Sequence, residues 1–71
     1  VAAGGDLAAT LDEFLAQGGS VEATARARYI HANTVRYRLR RIQEITGYAA
    51  GDPREAYVLQ LSLTLGRLLS H

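Results

Sequence analysis

Apolar residues recur along this chain at intervals of three and four, the spacing that gathers side chains on one face of an α-helix. Leu7, Leu11, Phe14 and Leu15 form the first such face, behind Asp6, a residue suited to capping a helix start. Gln17 closes the segment, because Gly18 and Gly19 supply the permissive backbone of a helix stop. Residues 1–5 ahead of it read as a flexible lead-in. Ser20 is the next N-cap, with Glu22 favourably placed in the first turn. A short helix follows to about Arg28, and its inner residues Val21, Thr24 and Ala25 are small enough for another helix to cross closely. Tyr29 and Ile30 make a tight connection. A third helix then starts near His31, with Val35, Leu39 and Ile42 as one narrow apolar stripe, and Gly47 ends it.

The last segment is ambiguous by period alone. Asp52-Pro53 is a strong helix opening, yet Leu59, Leu61, Leu63 and Leu65 alternate with polar residues as in a strand. No partner strand exists elsewhere, so a helix over about 53–69 is the better reading. Such a helix carries two apolar faces. Tyr57, Val58, Leu61, Leu65, Leu68 and Leu69 form one; Leu59, Leu63 and Ala56 form the other, with small Ser62 and Gly66 between them. One face suffices to close a four-helix domain. The second, at Leu59, Leu63 and Gly66, is assigned to contact with a second copy, the alternative cover being the remainder of a longer protein. The expected fold is all-α, a small four-helix domain over residues 6–71 containing a helix-turn-helix. Its brace helix spans about 20–28 and its recognition helix about 31–46.

Composition narrows the chemistry. Seventy-one residues make one domain with a modest core. The absence of cysteine excludes disulfides, thiolate chemistry and Cys-based zinc sites. His31 and His71 lie far apart with no acidic residue at metal spacing, so neither a metal nor a cofactor is expected. They have no plausible nucleophile to serve, no Gly-rich loop resembles a phosphate cradle, and the chain reads as a non-enzyme. No charged start followed by an apolar run marks a signal peptide. The stretch from Tyr57 to Leu69 is too short and too interrupted to span a bilayer, which leaves a cytoplasmic setting. A first residue of valine and the lack of methionine give the expectation of a piece of a longer protein.

A net charge of +1 says little, but its distribution says more. Residues 26–41 hold six arginines and no acid, whereas the rest holds two arginines and all seven acids. Such segregation is the footprint of a surface that meets a polyanion. A basic helix fits the width of the DNA major groove, with a second helix bracing it from behind. Duplex DNA is therefore the expected partner.

On the third helix Asn33, Tyr37 and Arg40 project away from the apolar stripe, with Arg36 beside them near the front. Arg36 and Arg40 suit guanine and Asn33 suits adenine by bidentate hydrogen bonding, the alternative for each being a phosphate contact. Thr34 either donates to phosphate or caps the helix. His31 is the N-cap of this helix or a further contact. Tyr37 packs on sugar and donates to phosphate, or is simply half-buried. Arg38 and Arg41 read as phosphate clamps, Arg26 as a clamp or a solvated charge, and Ser20 caps a helix whose N-terminus itself attracts phosphate. A helical protein-docking module is the competing reading, but a docking face would show more apolar residues among its arginines than Tyr37 alone. Single-strand RNA readers usually offer several stacking aromatics, and this face has one.

The run Asn33-Thr34-Val35-Arg36-Tyr37-Arg38-Leu39-Arg40-Arg41-Ile42 closely resembles the C-terminal helix-turn-helix of PucR/CdaR-type bacterial regulators. Gly18-Gly19-Ser20 ahead of Ala23-Thr24-Ala25, the Thr46-Gly47 stop, and Asp52-Pro53 before a leucine-rich helix are also similar, so the likeness runs from about Leu7 to Leu69. Two residues depart from the pattern: Arg28 stands where an apolar residue is usual, and Ala32 where a basic one is common. The resemblance implies the output end of a transcription regulator, with effector sensing in an N-terminal part outside this chain, and activation more often than repression.

Overall fold

The computed structural model describes the backbone of residues 2–69 and the side chains of residues 7–69. Four helices account for the described elements: α1 (Ala2–Ala16), α2 (Val21–Arg28), α3 (Ala32–Thr46) and α4 (Pro53–Leu69). The domain is all-α, and α2 and α3 form its helix-turn-helix.

Helix α1 begins at Ala2, ahead of the Asp6 start expected from the sequence, so residues 2–5 are helical and not a lead-in. Alanine is the best helix former, and each added residue extends an existing ladder by one hydrogen bond, which outweighs the penalty of Gly4 and Gly5. Asp6 consequently lies inside the helix instead of capping it. Val1, Ser70 and His71 fall outside the described residues.

Local chemistry fixes the other helix ends. Gly18 adopts φ +68 and lets the Gly18 and Gly19 amides fold back onto the Leu15 and Phe14 carbonyls, closing α1. Ser20 Oγ accepts from the Ala23 amide at 3.1 Å at the start of α2. Gly47, at φ +79, ends α3 by donating to the Gln43 carbonyl. Asp52 Oδ1 accepts from the Arg54 and Glu55 amides, and Glu55 reaches back to the Ala49 amide at 2.7 Å, so the α3–α4 loop is tied to the helix it opens.

Helix α1 is the hub, packing on α2, α3 and α4 in turn. Leu11, Phe14, Ile42, Ala50 and Leu59 form the core, with Leu7, Leu15, Val21, Leu39 and Leu63 packed against it. Val35 is fully buried, as are Thr10 and Thr24. Both threonines are satisfied: Thr24 Oγ1 donates to the Ser20 carbonyl at 2.6 Å, and Thr10 Oγ1 accepts from Arg38 at 3.2 Å.

The two faces of α4 are used in the reverse of the expected sense. Leu59 is 3% exposed within the core and is not free to meet a second copy, while Leu63 packs beside it and is partly buried. Tyr57, Leu61, Leu65 and Leu68 point outward instead, Leu61 being 46% exposed. Both faces offer comparable apolar area, so period alone leaves the helix phase open, and α1 decides it. Arg67 lies on the same side as Leu63 and pairs with Asp12 of α1, in keeping with the rotation that the burial of Leu59 sets. Gly66, the third residue assigned to a partner contact, is exposed, with open space where a Cβ would stand.

The α4 phase has a direct consequence for stability. Leu59→Ala should cost about 2–5 kcal/mol, whereas Leu61→Ala should change stability by roughly 0.5 kcal/mol or less in the monomeric chain. Urea melts at low protein concentration rank the two, and the opposite order would mean that α4 is rotated.

Candidate nucleic-acid interface

Helix α3 presents its polar side outward because its apolar side is fully engaged. Val35 and Ile42 are buried and Leu39 is half-buried, while Asn33, Arg36, Tyr37, Arg40 and Arg41 are exposed along the opposite side. At about 1.5 Å per residue the fifteen residues of α3 give a rod roughly 22 Å long. His31 caps it: Nδ1 accepts from the Asn33 amide at 3.0 Å, which places the neutral ring's proton on Nε2. Thr34 is half-buried in the first turn, and its amide donates to the His31 carbonyl.

The arginines are not equivalent. Arg36 donates through Nη1 to Asn33 Oδ1 at 3.0 Å and through Nη2 to Glu22 Oε2 at 3.2 Å, linking α3 to the first turn of α2. Arg40 stands in solvent with no partner among the described residues. Arg41 donates to Glu44 Oε1 at 2.7 Å, and this hydrogen bond, helped by the carboxylate charge, raises its pKa above an already high ordinary value. It remains a cation throughout. Arg38, expected as a phosphate clamp, is half-buried and donates to Thr10 on α1. Its position sits closer to the Val35–Ile42 stripe than Arg41 does, so its long stem covers the edge of the core. Ser20 Oγ is engaged in capping α2, and Arg26 and Arg28 are exposed near its end.

Among the described residues no three His, Cys, Asp or Glu side chains gather as a metal site would require, and no helix is long and apolar enough to cross a membrane. The most apolar groove runs between α1, α3 and α4, lined by Leu7, Leu11, Ile42, Ile45, Leu59 and Leu63, away from the arginine side of α3.

Residues 7–65 match the family described as the PucR C-terminal helix-turn-helix domain. The chain belongs to that family. Among its relatives, an uncharacterized protein of Mycobacterium tuberculosis is 52% identical over 66 residues, covering 93% of this chain and 16% of that protein. The purine catabolism regulatory protein of Bacillus subtilis is 38% identical over 61 residues, covering 86% of this chain and 12% of that protein. The crystal structure of a regulator of polyketide synthase expression from Bifidobacterium adolescentis superposes with a TM-score of 0.84 at 50% identity, covering 87% of this chain and 26% of that one. The PucR domain thus spans about a sixth or less of the length of these curated relatives.

Two residues of this PucR domain gain importance only from the structure. Glu22 lies fourteen positions before Arg36 and on a different helix, so no spacing within one helix pairs them. Tyr29 occupies the turn between α2 and α3 with φ 57, in the left-handed region, and is 95% exposed. The Tyr29 and Ile30 amides donate back to the Arg26 and Ala25 carbonyls, so the turn is the hydrogen-bonded type that glycine normally completes. The detectable signal was negative: a tight inter-helix turn without glycine.

A bulky residue in that conformation costs about 1–2 kcal/mol that glycine avoids, partly offset by glycine's greater chain entropy. Tyr29→Gly should therefore stabilise the domain by roughly 0.5–1 kcal/mol, a rise in Tm of a few degrees. A lowered Tm in a thermal melt would show that the tyrosine ring contributes packing that outweighs its backbone strain.

Proposed function

We propose that this PucR domain is the DNA-binding output domain of a longer transcription regulator, working in the cytoplasm. In this reading α3 enters the major groove and α2 braces it. The observation that carries the reading is the outer face of α3, where Asn33, Arg36, Tyr37 and Arg40 are exposed on a helix whose opposite stripe is locked into the core. Arg36 and Arg40 are the proposed guanine readers and Asn33 an adenine reader. Tyr37, Thr34 and Arg41 meet the sugar-phosphate backbone, and His31 and Ser20 hold the helix starts at it. Arg38 acts indirectly, by fastening α3 to α1. Effector sensing is assigned to a part of the regulator outside this chain, in keeping with the much greater length of its relatives.

The working state is proposed to be a homodimer, and the outward side of α4 is its candidate surface. Val58, Leu61, Leu65 and Leu68 alternate at three and four residues, a coiled-coil seam with a β-branched residue and leucine in its first repeat. Flanking positions Tyr57, Ser62, Thr64 and Leu69 carry no charge, so two copies meet without like-charge repulsion. Sedimentation velocity should give a dimer for the chain and a monomer for Leu61→Glu/Leu65→Glu. A monomer of the unaltered chain at high concentration would discard this interface.

For DNA binding the decisive measurement is an anisotropy titration of a labelled duplex across salt concentrations, with the chain and its Arg36→Ala/Arg40→Ala variant. With Arg36 and Arg40 given to bases and Arg38 turned inward, Arg26, Arg28 and Arg41 remain for phosphate, and about three phosphates neutralised per domain should give a log–log slope near −3. The double variant should bind more weakly and melt normally. A folded chain that shows no salt-dependent binding at low salt would instead be a protein-docking module.

A further inference from the structure

The contact between Glu22 and Arg36 places an acid inside the surface otherwise suited to a polyanion. It joins the first turn of α2 to the second turn of α3, so it spans the two halves of the helix-turn-helix. The α2 end that carries Glu22 is well anchored: Ser20 caps it, and fully buried Thr24 donates to the Ser20 carbonyl. Arg36 is 51% and Glu22 65% exposed, and exposed ion pairs of this kind contribute little to stability. Stabilising the fold is therefore a poor account of the contact.

We propose that Glu22 is a positioning residue that sets DNA sequence discrimination through Arg36. This rests on the reading of α3 as a DNA-reading helix. Glu22 and Asn33 each take one donor from the Arg36 guanidinium, which removes rotamer freedom before any duplex arrives and leaves its other donors for a base edge. The Glu22 carboxylate also repels phosphate, whereas the guanine N7 and O6 acceptors are neutral. Holding Arg36 and opposing phosphate act in the same direction: backbone binding is weakened more than base recognition.

The test uses the 71-residue chain, a duplex that it selects from a random-sequence library, and a scrambled duplex of equal length. Glu22→Gln should bind the scrambled duplex more tightly, with a salt slope steeper by about one, as expected for one phosphate-opposing charge removed. Its preference for the selected duplex should fall roughly tenfold, the loss expected from freeing one long side chain. Melting temperature serves as the control for folding. In an Arg36→Ala background the same substitution should lower the preference far less, because the part that travels through Arg36 is gone and only the repulsion of phosphate remains. An unaltered preference in Glu22→Gln, or an equal fall with Arg36 absent, overturns the proposal. If the unaltered chain selects no duplex and shows no salt-dependent binding, the DNA reading itself fails and this inference falls with it.

Discussion

The burial of one stripe of α3 against α1 and α2 is the constraint on which the rest of this domain depends. Val35 is sealed completely, and Ile42 joins Leu11, Phe14 and Leu59 in the core. In so small a protein there is little apolar surface to spare, and losing any part of that stripe removes a large share of the whole. The same packing sets direction. Once the apolar side of α3 is committed inward, the rotation of its polar side is decided, so the core aims the arginines without touching them. Capping by His31 and Gly47 limits where that face starts and stops.

Electrostatics refines what packing aims. The cluster of six arginines between residues 26 and 41 is uniformly positive in sequence, but the folded surface is graded. Arg38 is drawn to Thr10, Arg41 is held by Glu44, Arg36 is shared between Asn33 and Glu22, and Arg40 stands in solvent. Exposed pairs of this kind do little for stability, yet each restricts where a long, flexible cation can go. A face built from restrained charges is a more selective object than a run of arginines implies.

Much of this architecture was legible beforehand. Helix starts at Ser20, His31 and Pro53 and stops at Gly18 and Gly47 are written in residues whose side chains or backbone freedom do one job locally. The stripe of α3 was equally plain, because only one of its faces is apolar. Helix α4 was harder for the opposite reason: with leucines on both sides, its sequence is compatible with two rotations, and the choice belongs to α1. The start of α1 was missed because alanines extend a helix past glycines that look like a break. The Arg38–Thr10 and Glu22–Arg36 contacts were not legible, because each joins two different helices and no period within one helix pairs them.

The arrangement of contacts around α1 also separates two kinds of inheritance. Helices α2, α3 and α4 all pack on α1, but the α4 backbone does not closely approach α3. The outward residues of α4, Tyr57, Leu61, Leu65 and Leu68, are exposed and lie outside the core that holds α3. Mutational drift along that outer edge is thereby insulated from the arginine face, and drift on the arginine face is insulated from it. Substitutions along the outer edge of α4 and substitutions on the arginine face of α3 therefore fall on separate surfaces of the domain.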